Sequence, residues 1–296
     1  MEGFKKIKKA IIPVAGFGTR MLPATKAVAK ELLPILDKPL IQIIIEEAVE
    51  GGIEEIILIT RSGKEAIENH LDNNFELETL LKRAKKHETL SKFPNHLLKN
   101  INFLSIRQEK PKGLGDAIFS AKPALEYGEA FAIFLPDEFL LSLGMEKDFK
   151  KMMTNYMNTG NGQLLIEKVP RKKIIEYGVV DLNNKNISIS KSKEIKDVIE
   201  KPSVSKAPSN FRIVGRYILP YEVIKILSNL KPGKNKEIQL TDAIKKLLNS
   251  TNLKLEANLS NSRIFDCGSL KGFLGANIAL ASKDKSMKKY LKEILS

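Results

Sequence analysis

The apolar run Ala10-Ile11-Ile12-Pro13-Val14 passes without a polar break into Ala15-Gly16-Phe17-Gly18. A short unbroken apolar run ending in glycines is the pattern of a strand buried on both faces that feeds a loop, and it predicts an α/β chain. Residues 40–50 then carry apolar positions at helical spacing and stop at Gly51-Gly52, and residues 55–60 form a second apolar run. The alternation continues with helices expected near 63–71 and 76–90, a strand at 101–106, a helix after Gly115 and a strand at 131–135 that ends in Pro136-Asp137. Such an order implies a mixed, mostly parallel central sheet with helices on both faces.

The second half changes texture. Short strand-like runs at 163–168, 177–182, 186–190, 195–199 and 212–219 predict a smaller antiparallel extension. Helices near 221–229 and 238–248, a strand at 252–258 and helices from about 269 complete the chain. The most linker-like stretch, residues 202–210, has the length of a surface loop, so a single domain is expected over 1–296.

At 296 residues the chain is long enough to bury a core without staples. One cysteine, Cys267, excludes an intramolecular disulfide, and the basic first ten residues lack the apolar run of a signal peptide, so a cytoplasmic protein is expected. No stretch approaches the roughly 18 apolar residues of a membrane span. The net charge of +14 is spread over small lysine groups without interleaved aromatics, and tryptophan is absent, which fits a solvated lysine-rich surface better than a nucleic-acid footprint.

The glycine loop tests two common phosphate sites. Gly16-Phe17-Gly18 opens like a dinucleotide fingerprint, but Met21 stands in the third glycine's place and Pro23 interrupts the helix that fold requires. A P-loop needs Gly-Lys-Ser/Thr, a tripeptide that occurs nowhere in the chain. What remains is a loop with unhindered backbone N–H groups at Gly16 and Gly18, a hydroxyl at Thr19, and the cations Arg20, Lys26 and Lys30, an inventory suited to a triphosphate. On spacing alone, an ordinary turn beside surface cations remains open.

Taken together, residues 16–26 (GFGTRMLPATK), 30–34 (KELLP) and 37–39 (DKP) closely resemble the opening of the nucleoside-diphosphate-sugar pyrophosphorylases, in particular their bacterial uridylyl-transferring branch. Further blocks follow in family order: Arg107-Gln108 with Lys112-Gly113-Leu114-Gly115, Leu135-Pro136-Asp137, Glu176 to Val180, Glu200-Lys201-Pro202, Val214 to Tyr217, Glu237 to Ala243, and Asp266-Cys267-Gly268. The resemblance implies a Rossmann-like nucleotidyltransferase fold, with residues to about 160 as the nucleotide-binding half, about 161–268 as the sugar-binding half and 269–296 as C-terminal helices. It also implies attack of glucose 1-phosphate on the α-phosphorus of UTP, a Mg²⁺ cofactor, and a homodimer or homotetramer.

The same resemblance assigns roles. Arg20 and Lys30 would steady charge on the departing pyrophosphate, and Lys201 would grip the sugar phosphate. Ala15, Gly16, Gly18, Thr19, Gln108 and Gly113 would hold the nucleotide, with the Gln108 amide reading the uracil edge. Gly178, Glu200 and Val214 would form the sugar site with Lys201. Asp137 and Asp266 would be the carboxylates for one Mg²⁺, unless Asp266 instead caps the helix starting near Ser269. Glu138, next to Asp137 on an extended chain, would point the other way.

Three positions depart from the family's habit, which has proline at Ala29, methionine at Leu32 and histidine at Asp116. Asp116 puts a carboxylate near a polyanion site and would weaken nucleotide affinity unless it points away or pairs with Lys112. Sister enzymes using dTTP, ATP or CTP, a weakened regulatory paralogue, and a noncatalytic anion-binding protein are the remaining alternatives.

Overall fold

The computed structural model describes residues 4–94, 98–183, 186–233 and 236–295. The strands are β1 (Lys9–Pro13), β2 (Pro34–Ile35), β3 (Lys38–Pro39), β4 (Glu55–Thr60), β5 (Asn102–Arg107), β6 (Phe131–Phe134) and β7 (Glu138–Ser142). They continue as β8 (Gly162–Lys168), β9 (Gly178–Leu182), β10 (Lys193–Glu200), β11 (Phe211–Leu219), β12 (Leu255–Leu259) and β13 (Ser262–Asp266). Nine of them form one sheet in the order β5-β4-β1-β6-β11-β8-β12-β10-β9. The first-half strands β5, β4, β1 and β6 run parallel, whereas β11 enters antiparallel between β6 and β8, and β9 and β10 pair antiparallel. The predicted extension therefore continues the central sheet.

Period-two alternation divides the core between the faces. Ile12, Ile56 and Leu58 pack on one side with the helices Leu40–Glu50 and Asp148–Thr159, while Ile11, Ile57 and Ile59 pack on the other with Leu114–Ser120 and Leu240–Ser250. Helix Leu40–Glu50 buries Leu40, Ile41, Ile44, Ile45 and Ala48, one stripe at helical spacing. It ends where a side chain at Gly51 would strike the Phe149 ring at 2.2 Å, and Gly52 adopts φ +98°. Among the described residues no helix is long and apolar enough to cross a membrane.

Two expectations change. The charged stretch near 76–90 forms two helices, Phe75–Arg83 and His87–Ser91, separated at Lys85, whose φ of +54° cannot continue a right-handed helix. Residues 186–190 form no strand; Ile189 is exposed and without a sheet neighbour, and pairing begins only at Lys193.

One small element decides where the chemistry sits. β7 and β13 form an antiparallel ribbon whose register sets Asp266 opposite Glu138. The Cys267 N–H donates to the Asp137 carbonyl at 2.7 Å, so the chain leaving β13 lies against the chain entering β7.

Candidate active site

Three parallel strands end on one rim, where open α/β sheets receive ligands. β1 delivers Ala15 to Gly18, β5 delivers Gln108, and β6 delivers Leu135 to Asp137. Gly18 adopts the left-handed conformation, φ +67°, and its carbonyl accepts from Thr25 Oγ1 at 2.8 Å, which folds the loop back on itself. Beyond it the turn Lys30–Leu32 is anchored from below: Glu31 is fully buried and accepts from Lys64 Nζ at 2.6 Å, with both side chains out of water.

The charges meet above this rim. Lys30 Nζ donates to Asp137 Oδ2 at 2.7 Å. Arg20 donates to both oxygens of Asp266 at 2.7 and 3.3 Å and lies 3.8 Å from Asp137. Burial works against the charged Asp137 carboxylate, but the charge and hydrogen bond of Lys30, with Arg20 beyond it, outweigh that cost and hold it below the usual carboxylate range. Burial likewise works against the Lys30 ammonium, yet Asp137 and Glu31 raise it above the ordinary lysine value. Both groups are ionised near neutrality.

Asp137 and Asp266 open onto one small space. A side-chain carbon added at Gly268 would lie 3.0 Å from Asp266 Oδ1, 3.2 Å from Asp137 Oδ2 and 2.6 Å from Arg20 Nη2, so the missing Cβ leaves room between the carboxylates. Among the described residues no group of three or more His, Cys, Asp and Glu side chains is gathered for a metal. A two-carboxylate donor set fits Mg²⁺, which keeps waters and takes further oxygens from substrate phosphates. Asp266 does not cap helix Leu270–Ala281: Ser269 does, accepting from Gly272 N, while Asp266 Oδ1 accepts from Gly268 N at 3.0 Å.

Two cavities adjoin at Asp137. One, of ≈ 300 Å³, includes Ala15, Gly16, Lys30, Gln108 and Gly113 in its lining; the other, of ≈ 610 Å³, includes Arg20, Gly178, Glu200, Lys201 and Asp266; Leu114, Leu135 and Asp137 line both. Gly178 belongs there for a steric reason, since a side chain would lie 3.1 Å from Thr241 Oγ1 and 3.2 Å from Glu200 Oε2. Gly113 is required first by packing: its φ is +107° and a Cβ would meet the Ile238 carbonyl at 2.7 Å. Gly18 and Thr19 shape the loop and line neither cavity among the described residues.

Val214 differs from the other residues expected at the sugar site. It is fully buried, packed on the face of helix Leu40–Glu50, and Ile213 and Tyr217 line the larger cavity instead. Alternation along β11 puts Ile213 and Tyr217 on one face and turns Val214, with Ile218, to the other.

Sequence reasoning missed the scaffold beneath Asp137. Arg216, with no exposure at all, donates to the carbonyls of Leu135 at 3.2 Å and Glu138 at 3.0 Å, bracketing Pro136-Asp137, and pairs with both oxygens of Glu47 at 2.9 and 2.7 Å. Arg212 pairs with Glu138 and with Glu167, and Glu138 also accepts from the Gly215 N–H, so Glu138 is committed to the scaffold. Arginines inside the otherwise apolar β11 were the available signal.

The unusual Asp116 lines neither cavity, and its side-chain partner is Gln108 and not Lys112. It accepts a 2.6 Å hydrogen bond from Gln108 Nε2.

A sequence model of the nucleotidyl transferase family matches residues 9–283. The chain is 39% identical over 290 residues to the UTP–glucose-1-phosphate uridylyltransferase of Haemophilus influenzae, covering 97% of each. Among solved structures, a UTP-bound UGPase from Acinetobacter baumannii superposes with a TM-score of 0.88 at 38% identity, covering 98% of each chain. A UDP-glucose pyrophosphorylase complexed with UDP-glucose gives a TM-score of 0.84 at 35% identity, covering 94% of this chain and all of that one.

Proposed function

Because this chain belongs to the nucleotidyl transferase family, we propose that it transfers the uridylyl group of UTP to glucose 1-phosphate, giving UDP-glucose and pyrophosphate. The observation that carries this reading is the position of Asp137 at the junction of two cavities, with the glycine loop and Gln108 on one side and Glu200 and Lys201 on the other. A reaction between two bound phosphates needs such a junction.

The attacking phosphate oxygen of glucose 1-phosphate is already ionised at neutral pH, so no general base is required. It forms a bond to the α-phosphorus as the bond to the departing pyrophosphate breaks. The protein's task is in-line positioning and charge neutralisation. Ala15 and Gly16 offer the phosphates and ribose an approach unobstructed by large side chains, and the Gln108 amide faces the base. Arg20 and Lys30 exchange part of their hold on the aspartates for the oxygens of the β- and γ-phosphates. Lys201 holds the sugar phosphate, and Glu200, acceptor-only when ionised, takes hydrogen bonds from glucose hydroxyls.

Asp137 and Asp266 would hold a Mg²⁺, which when bound supplies positive charge to the phosphate oxygens at the reacting centre. The reading includes a cytoplasmic location, where both substrates are metabolites, and no nucleic-acid partner. It also includes a homodimer or homotetramer, supported by apolar side chains exposed along the C-terminal helices at Leu270, Leu274, Met287 and Tyr290. Sedimentation of the purified chain as a monomer at micromolar concentration would remove that last element alone. The activity is tested by Mg²⁺-dependent pyrophosphate release from UTP and glucose 1-phosphate.

A further inference from the structure

The Gln108 amide is held on both sides of its residue. Its backbone N–H donates to the Thr60 carbonyl at 2.8 Å, and its side-chain Nε2 donates to Asp116 Oδ2 at 2.6 Å. Asp116 does not ride on a loose segment, because the start of its helix is fastened by Gly115 N to Ile238 O at 2.8 Å and by Ile238 N to Lys112 O at 2.7 Å. Gln108 is itself buried at 8% exposure.

A primary amide has donors at one end and an acceptor at the other, while a carboxylate can only accept. The chemistry of Asp116 thus settles which end of the amide faces it. Nε2 must turn toward Asp116 and Oε1 away. Reversing the amide would set Oε1 against a carboxylate oxygen at hydrogen-bond distance with no proton between them, and would leave a partly buried pair unsatisfied.

We infer that Asp116 is a specificity-determining positioning residue, which locks the Gln108 amide in the orientation that reads uracil and rejects cytosine. Uracil presents the N3–H donor beside carbonyl acceptors; cytosine presents N3 as an acceptor beside the N4 amino donor. An amide whose Oε1 meets the N3–H of uracil meets a lone pair at N3 of cytosine. Reading cytosine requires the reversed amide, the orientation Asp116 opposes. Thymine shares the uracil edge, so the lock does not act between UTP and dTTP. The inference rests on the proposed role of Gln108 at the base.

The test compares kcat/KM for UTP, CTP and dTTP, each with glucose 1-phosphate and Mg²⁺, in the wild type, Asp116→Asn and Asp116→Ala. Ratios between nucleotides measured on one preparation cancel the active fraction, so a partly unfolded variant still gives a reading. Asparagine can donate or accept and so satisfies either amide orientation, and alanine opposes neither. The expected result is a fall in the UTP:CTP ratio of about tenfold or more in both variants, about 1.4 kcal/mol of discrimination, with the UTP:dTTP ratio unchanged. An unchanged UTP:CTP ratio, even with all rates lowered together, would show Asp116 to be merely structural and overturn the inference. A wild type that turns over other nucleotides but not UTP would overturn the uridylyl reading itself, and the inference with it.

Discussion

Lys30 Nζ lies 2.7 Å from Asp137 Oδ2, although the two residues come from different turns at the ends of different strands. The pair joins the segment that follows the glycine loop to the carboxylate that lines both cavities. With Arg20 on Asp266 it sets each carboxylate of the site against a cation.

Asp137→Asn keeps the shape of the side chain and removes its charge. Pyrophosphate release should drop by about a thousandfold, the several kcal/mol that placing a cation at a transferring phosphoryl group provides. The circular-dichroism spectrum should stay that of the wild type. Full activity in this variant would remove Asp137 from the metal site.

The same pair sets a pH dependence of stability. The folded Asp137 carboxyl lies below its ordinary value of 3.8, so its contribution is complete above that value and is lost as pH falls through the lower folded one. Lys30 lies above its ordinary 10.5, so its contribution is complete below that value and is lost as pH rises through the higher folded one. Denaturant midpoints should be flat in this respect between about pH 5 and 9. On acidification to about pH 3, the wild type should lose more stability than Asp137→Asn; equal losses would show that the pair contributes nothing.

Arg216 lines neither of the two cavities at Asp137 yet brackets the Asp137 turn through two carbonyls. Lysine keeps the charge but cannot reproduce the planar fork. Arg216→Lys should lower kcat by about ten- to hundredfold, the usual cost of disturbing a group that orients a metal ligand, and raising the Mg²⁺ concentration should recover part of it. A kcat within twofold of wild type would leave Arg216 a purely structural residue.

The buried Lys64 and Glu31 pair supports the turn that presents Lys30. Lys64→Met would strand the Glu31 carboxylate without its partner, at a cost of about 3 kcal/mol in urea denaturation. A loss below about 1 kcal/mol would mean that water reaches Glu31 and that the pair is not the anchor.

The local parts of this site were legible in the sequence, and the long-range ones were not. The β1 strand, its glycine loop and the Pro136-Asp137 strand end follow from apolar runs and punctuation. The approach of Asp266 to Asp137 depends on the register of a five-residue ribbon, which no local pattern encodes. Alternation along β11 turns the Val214 side chain to the face opposite Ile213 and Tyr217, which line the larger cavity. The contact of Asp116 with Gln108 has no local signature, because the two lie on different elements and only the fold brings them within 2.6 Å.

The most direct test of the central claim is pyrophosphate release by the wild-type chain from UTP, dTTP, CTP and ATP, each with several sugar 1-phosphates, in Mg²⁺ and in chelator. UTP with glucose 1-phosphate should be the fastest pair and should fall to background in chelator. Faster turnover with dTTP than with UTP, or undiminished turnover in chelator, would contradict the account.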